Sequence, residues 1–395
     1  MKSILVIHHG AGIGGGLIAL VGMVRELQQK YTVKVLCIFN SDAVQYLKDH
    51  DIDVVVANNA FYSKFYDLFI HSEASFVNFA NVIRTIKNIF LFAMNMVFFS
   101  RRELRNWSKS YDYLYLNSLF ISDWLFWGKR YFSKTFIHVR EPLAKGVFGL
   151  RKLIIRSIIR RFADKIISIS NDNAQRVDLL DKTSILYDPV LERKDRSVFN
   201  PSNYRTFVYV GGSQRIKGFE VLMRCLEFLN DNVRILFIGG TYELDENPKS
   251  IKYRLRSVFS KYLRKELPQL QEIYRSTDKL IKIGTVDNVF NYYGSSLALL
   301  APFAKPHACL PILEAMSIGL PCIISDVEGM DEFPVKSEII TFTSTDPLEF
   351  AKVINRFAGM DEASLKAMGA LNLKRYNKIR SEQRNILNVI GDDFQ

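Results

Sequence analysis

Glu314 and Lys217 are the charged residues whose surroundings in the sequence best predict chemistry. Glu314 lies in PFAKPHACLPILEAMSIGLPCIISDVEGMDE (302 to 332), which reads as a strand end, a loop, a helix and a further strand. Lys217 lies in a KGFE turn after a strand that ends in two glycines. A helix start offers N–H groups to phosphate, a carboxylate accepts sugar hydroxyls, and an ammonium neutralises a diphosphate. The alternatives without a ligand are that Glu314 is a first-turn acid that stabilises the helix dipole and that Lys217 is a solvated surface lysine.

A glycine-rich loop, Gly10-Ala-Gly-Ile-Gly-Gly-Gly16, follows the first predicted strand and precedes a helix beginning near Leu17. Glycines permit positive φ and let backbone N–H groups approach a phosphate. The spacing fits neither a dinucleotide fingerprint nor a Walker loop. The loop therefore predicts a phosphate contact, and a tight turn that needs small residues is the alternative.

Polar residues also follow strands in the first half of the chain. His138 ends an apolar strand in FIHVRE, and Asn117 follows another in LYLNS. Because the carboxyl ends of parallel strands collect functional groups, both are candidates, with a strand-capping histidine as the alternative. Arg140 and Glu141 follow His138 in the sequence, and we expect them either to bind the acceptor or to form an ion pair with each other.

Short apolar strands alternate with helical segments in two series, which predicts an α/β fold with two doubly wound domains. The first series comprises residues 4–8, 33–38, 53–57, 113–116, 136–139 and 166–169. The second comprises residues 207–210, 233–238, 280–283, 297–300, 322–325 and 339–342. A segment rich in Pro, Asn, Ser and charge lies between them and reads as a linker. The predicted boundaries are a first domain at 1–190, a linker at 191–204, a second domain at 205–375 and a final segment at 376–395.

These motifs together resemble the family-4 glycosyltransferases, retaining enzymes of the GT-B fold. The similar segments are 8–27, 208–229, 236–240, 283–286 and 302–332, in the family's order. The resemblance implies transfer of a sugar from a UDP- or GDP-sugar without a metal or cofactor. It implies that Gly15, Gly16 and Lys217 contact the donor diphosphate, that Glu314 holds the ribose, and that His138 contacts the transferred sugar. It further implies that the last helix returns to the first domain. That domain is predicted to bind the acceptor, and the strand-end residues Asn117, Arg140 and Glu141 are the candidates for this contact.

The chain departs from the family pattern at two positions. The family's arginine five residues before the lysine is Gly212 here, and Arg215 is the candidate replacement. The first of two glutamates separated by seven residues is Pro306, which indicates an altered donor sugar. Neighbouring His307 is predicted to hydrogen-bond the sugar or to carry a positive charge in its place. The remaining donor contacts implied are made by the backbone of Val286, Ala308, Cys309 and Leu310.

The formal net charge of +12 predicts an anionic partner surface. Lys152, Arg156 and Arg160 recur every four residues, opposite an apolar side formed by Ile154, Ile155, Ile158, Ile159 and Phe162. An apolar run at 89–99 precedes Arg101, Arg102 and Arg105 and is too short to span a bilayer. Both helices could simply cover the sheet, but two in one half favour a membrane surface. We therefore predict that the protein acts in surface-polysaccharide assembly, on a lipid-linked or glycan acceptor.

The amino terminus has no secretion signal, and the four cysteines have neither metal-ligand nor redox spacing, so we expect a cytoplasmic, peripheral protein. Two other classes stay open. A nucleotide-sugar epimerase on the same scaffold would need an acid/base set and no acceptor surface. A nucleic-acid-binding protein would explain the charge, but it would leave Glu314 and the glycine loop without a role.

Overall fold

The computed structural model describes residues 1–10, 12–66, 79–146, 149–191, 203–241, 267–307, 310–333, 341–343 and 345–391, except for the side chains of 79–85, 267 and 331. The chain forms two compact units. The first comprises Met1–Leu191 and Glu382–Gln395, and the second comprises Glu192–Ser381.

The first unit is a seven-stranded parallel sheet in the order β3-β2-β1-β4-β5-β6-β7. Its strands are β1 Ser3–His8, β2 Thr32–Cys37, β3 Val54–Val56, β4 Tyr113–Leu116, β5 Lys134–Val139, β6 Lys165–Ser168 and β7 Thr183–Ile185. Its helices are α1 Gly15–Leu27, α2 Asp42–Asp49, α3 Ala60–Lys64, α4 Phe79–Met94, α5 Ser100–Trp107, α6 Leu125–Tyr131, α7 Leu150–Phe162 and α8 Asn171–Val177. A π-helical turn, Asn95–Phe99, joins α4 to α5, and 3-10 turns occupy Leu119–Trp124 and Leu180–Lys182.

The second unit is a six-stranded parallel sheet in the order β10-β9-β8-β11-β12-β13. Its strands are β8 Arg205–Val210, β9 Val233–Ile238, β10 Leu280–Gly284, β11 Leu299–Ala301, β12 Cys322–Ser325 and β13 Thr341–Phe342. Its helices are α9 Phe219–Cys225, α10 Leu267–Ser276, α11 Phe290–Tyr293, α12 Leu310–Ser317, α13 Pro347–Ala358 and α14 Glu362–Glu382. Arg215–Lys217, Leu226–Phe228 and Met330–Glu332 form 3-10 turns.

Both sheets have the hydrophobic character of strands covered on two faces. All four residues of β4 and all six of β9 are buried. Such strands are continuous apolar runs in the sequence, so their positions could be predicted from it. In each unit the parallel strands end at one edge, and the candidate residues follow those ends.

The last described helix, α15 (Ile386–Gly391), packs in the apolar core of the first unit. Ile386, Val389 and Ile390 lie in one cluster with residues of β1 and α1, and Gln383 donates to the carbonyl of Tyr187 at 3.1 Å. The helix therefore belongs to the first unit. The predicted start of this returning segment, residue 376, falls inside α14.

Candidate functional site

Lys217 closes a 3-10 turn just beyond the carboxyl end of β8. Gly218 follows with φ of 83°, and a Cβ there would lie 1.5 Å from the carbonyl oxygen of Pro302. The amide of Ala304 donates to the carbonyl of Ile216 at 3.0 Å. The turn that carries Lys217 is thus fixed against the segment that follows β11.

Arg215 forms an ion pair with Glu220, its Nε lying 2.6 Å from Oε1. Both side chains are partly exposed, so this pair contributes little to stability. The guanidinium charge is thus partly balanced by a carboxylate of α9. A donor contact for Arg215 stays a prediction.

His307 lies beside Lys217 and stacks on Phe303, with the two ring centroids 5.7 Å apart. Burial and the Lys217 charge lower the pKa of His307 to about 3. The ring is therefore neutral near pH 7, and the predicted positive charge in place of the missing glutamate is wrong. Its Nδ1 has no hydrogen-bond partner among the described residues, so the predicted role as a hydrogen-bonding group remains.

Glu314 is the fifth residue of α12 and is only 7% exposed. It therefore lies one turn deeper than the first-turn position expected from the sequence. The hydroxyl of Tyr293, at the end of α11, lies 3.2 Å from Oε2 and donates to it. A buried carboxylate held by a buried tyrosine is better fixed than a solvated helix-start acid.

Of the remaining predicted donor contacts, Leu310 and Val286 are among the described residues. Leu310 is buried and begins α12. Val286 is half-buried in the loop after β10. Ala308 and Cys309 lie outside the described residues.

The glycine loop leads into α1, which begins at Gly15, two residues earlier than expected. Gly14 is the N-cap with extended φ of −148°, and the first helical bonds run to its carbonyl from Leu17 and Ile18. None of the described loop glycines has positive φ, so this expected reason for glycine is wrong. Close approach of backbone N–H groups to a phosphate stays a prediction. The N–H groups of the first turn have no acceptor within the helix, as at the start of any α-helix.

His138, Asn117 and Arg140 come together at the edge of the first unit's sheet. Arg140 Nη1 lies 3.4 Å from Asn117 Oδ1 and 3.4 Å from His138 Nδ1. Arg140 forms its ion pair with Asp188, not with Glu141, which corrects one of the two predicted roles of this pair.

Glu141 binds the loop after β4. Its oxygens accept from the Ser118 hydroxyl at 2.9 Å and the Leu119 amide at 3.1 Å. Burial outweighs these bonds and raises the pKa of Glu141 to about 7. The contacts describe a structural carboxyl, and acceptor binding stays a prediction.

Sequence reasoning missed four residues of these clusters: His8, Tyr115, Asp188 and Tyr293. Asp188 is 48 residues from Arg140, and Tyr293 is 21 from Glu314. Pairs at such separations leave no local pattern. His8 had a signal, since it ends β1 directly before the glycine loop.

The basic and apolar helices differ in part from expectation. In α7, Ile154 is exposed, and Arg156 is bound to Asp178 by an ion pair at 3.2 Å. The apolar stretch from α4 to the π-helical turn leaves Ile86, Ile89, Phe90, Val97 and Phe98 exposed. No described helix is long and apolar enough to cross a membrane.

The fold has clear counterparts among solved structures. Anabaena Alr3699/HepE in complex with UDP and glucose is 15% identical with a TM-score of 0.69, over 100% of this chain and 98% of that one. A glycosyltransferase from Rickettsia africae is 16% identical with a TM-score of 0.62, over 99% and 96%. Sucrose-phosphate synthase from Thermosynechococcus elongatus is 15% identical with a TM-score of 0.65, over 100% and 98%. At these identities the similarity establishes the fold.

The sequence model of the family Glycosyl transferases group 1 matches residues 204–359, most of the second unit. No curated protein sequence matches the chain. The two parallel sheets, each with its helices, match the two-domain GT-B fold of these solved structures.

Proposed function

We propose that the protein transfers a sugar from a nucleoside diphosphate sugar to a glycan or lipid-linked acceptor, with retention of configuration and without a metal. The observation that carries the proposal is the arrangement of Lys217, His307 and the Tyr293–Glu314 pair at the carboxyl edge of the second unit's sheet. Open α/β sheets bind ligands at this edge.

Each of these groups has a distinct role. The carboxylate of Glu314, fixed by Tyr293, accepts the ribose hydroxyls. The ammonium of Lys217 stabilises the negative charge that develops on the departing diphosphate. Neutral His307 hydrogen-bonds the transferred sugar, in place of the glutamate replaced by Pro306.

A uracil base is the first choice for the donor. Anabaena HepE was solved with UDP, with UDP and glucose, and with UDP-glucose, and it covers this chain almost completely. Since Val286 lies in a loop where backbone groups meet the base, side chains do not decide between uracil and guanine. A comparison of UDP and GDP binding decides it directly.

The acceptor we propose is lipid-linked, in bacterial surface-polysaccharide assembly. The support is the exposed apolar stretch of α4 and the π-helical turn, next to the exposed bases Arg101, Arg102 and Arg105. An amphipathic surface of this composition fits the interface of an anionic membrane.

The test of the donor site is the ribose contact. In Glu314→Gln the charge-assisted hydrogen bonds to the ribose are weakened, so we expect the Kd for UDP to rise about tenfold in calorimetry. Glu328→Gln, an exposed glutamate in the same unit, makes the same charge change and should leave the Kd unchanged.

A 2′,3′-dideoxyribose analogue of UDP completes the cycle. It should bind the wild-type protein less tightly than UDP, but the two should bind Glu314→Gln about equally. An equal loss with both proteins would refute the ribose role. Incubation with UDP-sugars and NMR of the products then reports transfer and its stereochemistry, and separates transfer from epimerisation.

A further inference from the structure

A buried hydrogen-bond network at the edge of the first unit fixes where its histidines carry their protons. Arg140 only donates, so Asn117 accepts with Oδ1 and presents Nδ2 to His8 Nδ1 at 3.1 Å. His8 Nδ1 must therefore accept. Burial, with the nearby His9 and Arg140, lowers the pKa of His8 well below its ordinary value. The neutral ring consequently carries its proton on Nε2.

The same reasoning applies to His138 on β5. Its Nδ1 lies 2.8 Å from the Tyr115 hydroxyl and 3.4 Å from Arg140 Nη1, so it accepts. Burial and the Arg140 charge lower the pKa of His138 well below its ordinary value. This ring also carries its proton on Nε2.

Both Nε2–H donors are without a partner among the described residues, although His8 is 3% and His138 2% exposed. A buried donor without a partner is destabilising, which is a reason to expect a ligand at these atoms. His8 Nε2 faces the glycine loop, since a Cβ on Gly10 would lie 2.6 Å from it.

Arg140 extends this donor surface to the start of α1. Its Nε lies 3.7 Å from the position that a Cβ on Gly16 would occupy, and it bonds to no described residue. The first-turn N–H groups of α1, a helix of 13 residues, precede the first helical bonds there. Guanidinium, imidazole and backbone groups thus all offer donors, and a helix start favours an anion.

We propose that Arg140 and His8, with the first turn of α1, form a binding site for phosphate oxygens in the first unit. Asp188 is a positioning residue: it pairs with Arg140 Nη2 and leaves the Nε edge for the ligand. The ligand chemistry rests on the proposed function, which supplies two sources, the diphosphate of the donor and the phosphate of a lipid-linked acceptor.

The experiment is calorimetry on the full chain with inorganic pyrophosphate, UDP and uridine. Arg140→Gln combined with Asp188→Asn removes both charges and avoids an unpaired buried carboxylate. We expect this variant to bind pyrophosphate at least tenfold more weakly, because a charged donor is lost, and to bind uridine unchanged. Tryptophan fluorescence and the Tm report that the variant is folded.

His8 provides a matched pair of variants. His8→Phe removes the Nε2–H donor, whereas His8→Gln places an amide donor at a similar distance. We expect weaker pyrophosphate binding only in His8→Phe. A purely structural role would lower the Tm without this difference between ligands.

The outcomes separate this site from the proposed function. Parallel losses for pyrophosphate and UDP identify the donor diphosphate as the source, and a loss for pyrophosphate alone identifies an acceptor phosphate. Wild-type protein that binds pyrophosphate through Arg140 but does not bind UDP would refute the proposed function and leave the site standing. Absence of pyrophosphate binding by the wild type, or equal binding by the folded double variant, would overturn the site.

Discussion

Lys217 is the side chain whose removal should affect catalysis most. It is held beside neutral His307, which supplies no positive charge to replace it. We expect Lys217→Ala to lower kcat about 10²-fold or more, the scale for losing a charge partner of the transition state. Initial rates of UDP release from the donor in the presence of acceptor measure this.

A matched control is Lys352→Ala, an exposed lysine on α13 of the same unit. It should leave the rate within twofold. Unchanged turnover in Lys217→Ala would remove the lysine from the site. A fall in both variants would point to a loss of stability.

At this scale the sequence predicted single residues better than their partners. Lys217 and His138 were singled out because each lies at or just after a strand end, and Glu314 because it lies near a helix start, which is local information. Tyr293 and Asp188 were missed because their contacts depend on which strand ends lie side by side. The charge of His307 was wrong for the same reason: burial beside Lys217 is a property of the fold.

Among the elements, the 3-10 turn of Lys217 depends on Gly218. An alanine there would combine strained φ with a Cβ 1.5 Å from the Pro302 carbonyl oxygen. Gly284 has the same φ of 83°, but no described atom lies within 4 Å of its Cβ position. Gly218→Ala should therefore cost several kcal/mol of stability, whereas Gly284→Ala should cost about 1–2 kcal/mol for the backbone alone.

Thermal unfolding followed by circular dichroism compares the two variants, and calorimetry with UDP reports the donor site. Weaker UDP binding in Gly218→Ala alone would show that the turn positions Lys217. Equal costs for the two substitutions would mean that the turn adjusts and that the Pro302 contact is not restrictive.

The π-helical turn between α4 and α5 is anchored by the buried carboxyl of Asp123. Asn95 Nδ2 donates to Asp123 Oδ2 at 2.8 Å, and the Tyr66 hydroxyl donates to it at 2.9 Å. Burial nevertheless raises the pKa of Asp123 to about 7, against about 4 for an ordinary aspartate. Between these values the folded state binds a proton that the unfolded state has lost.

This difference in proton binding predicts that the contribution of Asp123 to the stability of the first unit falls as pH rises from about 4 to 7. Buried His8 and His138, whose pKa values are lowered, contribute with the opposite sign. Relative to the wild type, Asp123→Asn should therefore make the slope of unfolding free energy against pH more positive, by up to about 1.4 kcal/mol per pH unit. Urea unfolding at pH 5 to 8 measures it. All three tryptophans, Trp107, Trp124 and Trp127, lie in the first unit, so their fluorescence isolates its transition.

Exposed Asp181 serves as the control, since Asp181→Asn should leave the pH profile of the wild type unchanged. Glu141, whose raised pKa lies in the same range, contributes equally in both proteins, so the difference between their profiles isolates the contribution of Asp123. An identical profile for Asp123→Asn and wild type would show that the carboxyl is ionised in the folded protein.

Most elements could be predicted from the sequence because buried parallel strands are continuous apolar runs. The short strand β7, Thr183–Ile185, was missed, since three half-buried residues carry no such signal. The helical periodicity of α7 placed Ile154 on the buried side, but the structure exposes it. Where a helix lies on its sheet, and hence which residues it exposes, depends on the neighbouring helices.

At the scale of the whole molecule the net charge is +12, and one part of the first unit combines basic side chains with exposed apolar surface. Phe90 is 63% and Phe98 is 59% exposed, near the bases of α5. In α7, Arg160 and Arg161 are exposed, while Arg156 is held by Asp178. The basic side chains of α7 that are free to contact a membrane surface therefore differ in part from the predicted set of Lys152, Arg156 and Arg160.

We expect the full chain to bind vesicles that contain anionic lipid, and binding to fall as salt rises. Each base near such a surface contributes about 1 kcal/mol within a Debye length of roughly 8 Å, and phenylalanines buried in the membrane interface add an apolar contribution.

Sedimentation with vesicles should show weaker binding for Arg160→Glu with Arg161→Glu, and for Phe90→Gln with Phe98→Gln. Lys374→Glu with Lys378→Glu on α14 changes the net charge equally and should bind like the wild type, because these lysines belong to the second unit. Equal binding to neutral vesicles would leave the charge without a role. Equal losses in the two charge-reversal variants, with no loss for Phe90→Gln with Phe98→Gln, would reduce the attraction to net charge alone. In either case a soluble acceptor would become the better assignment.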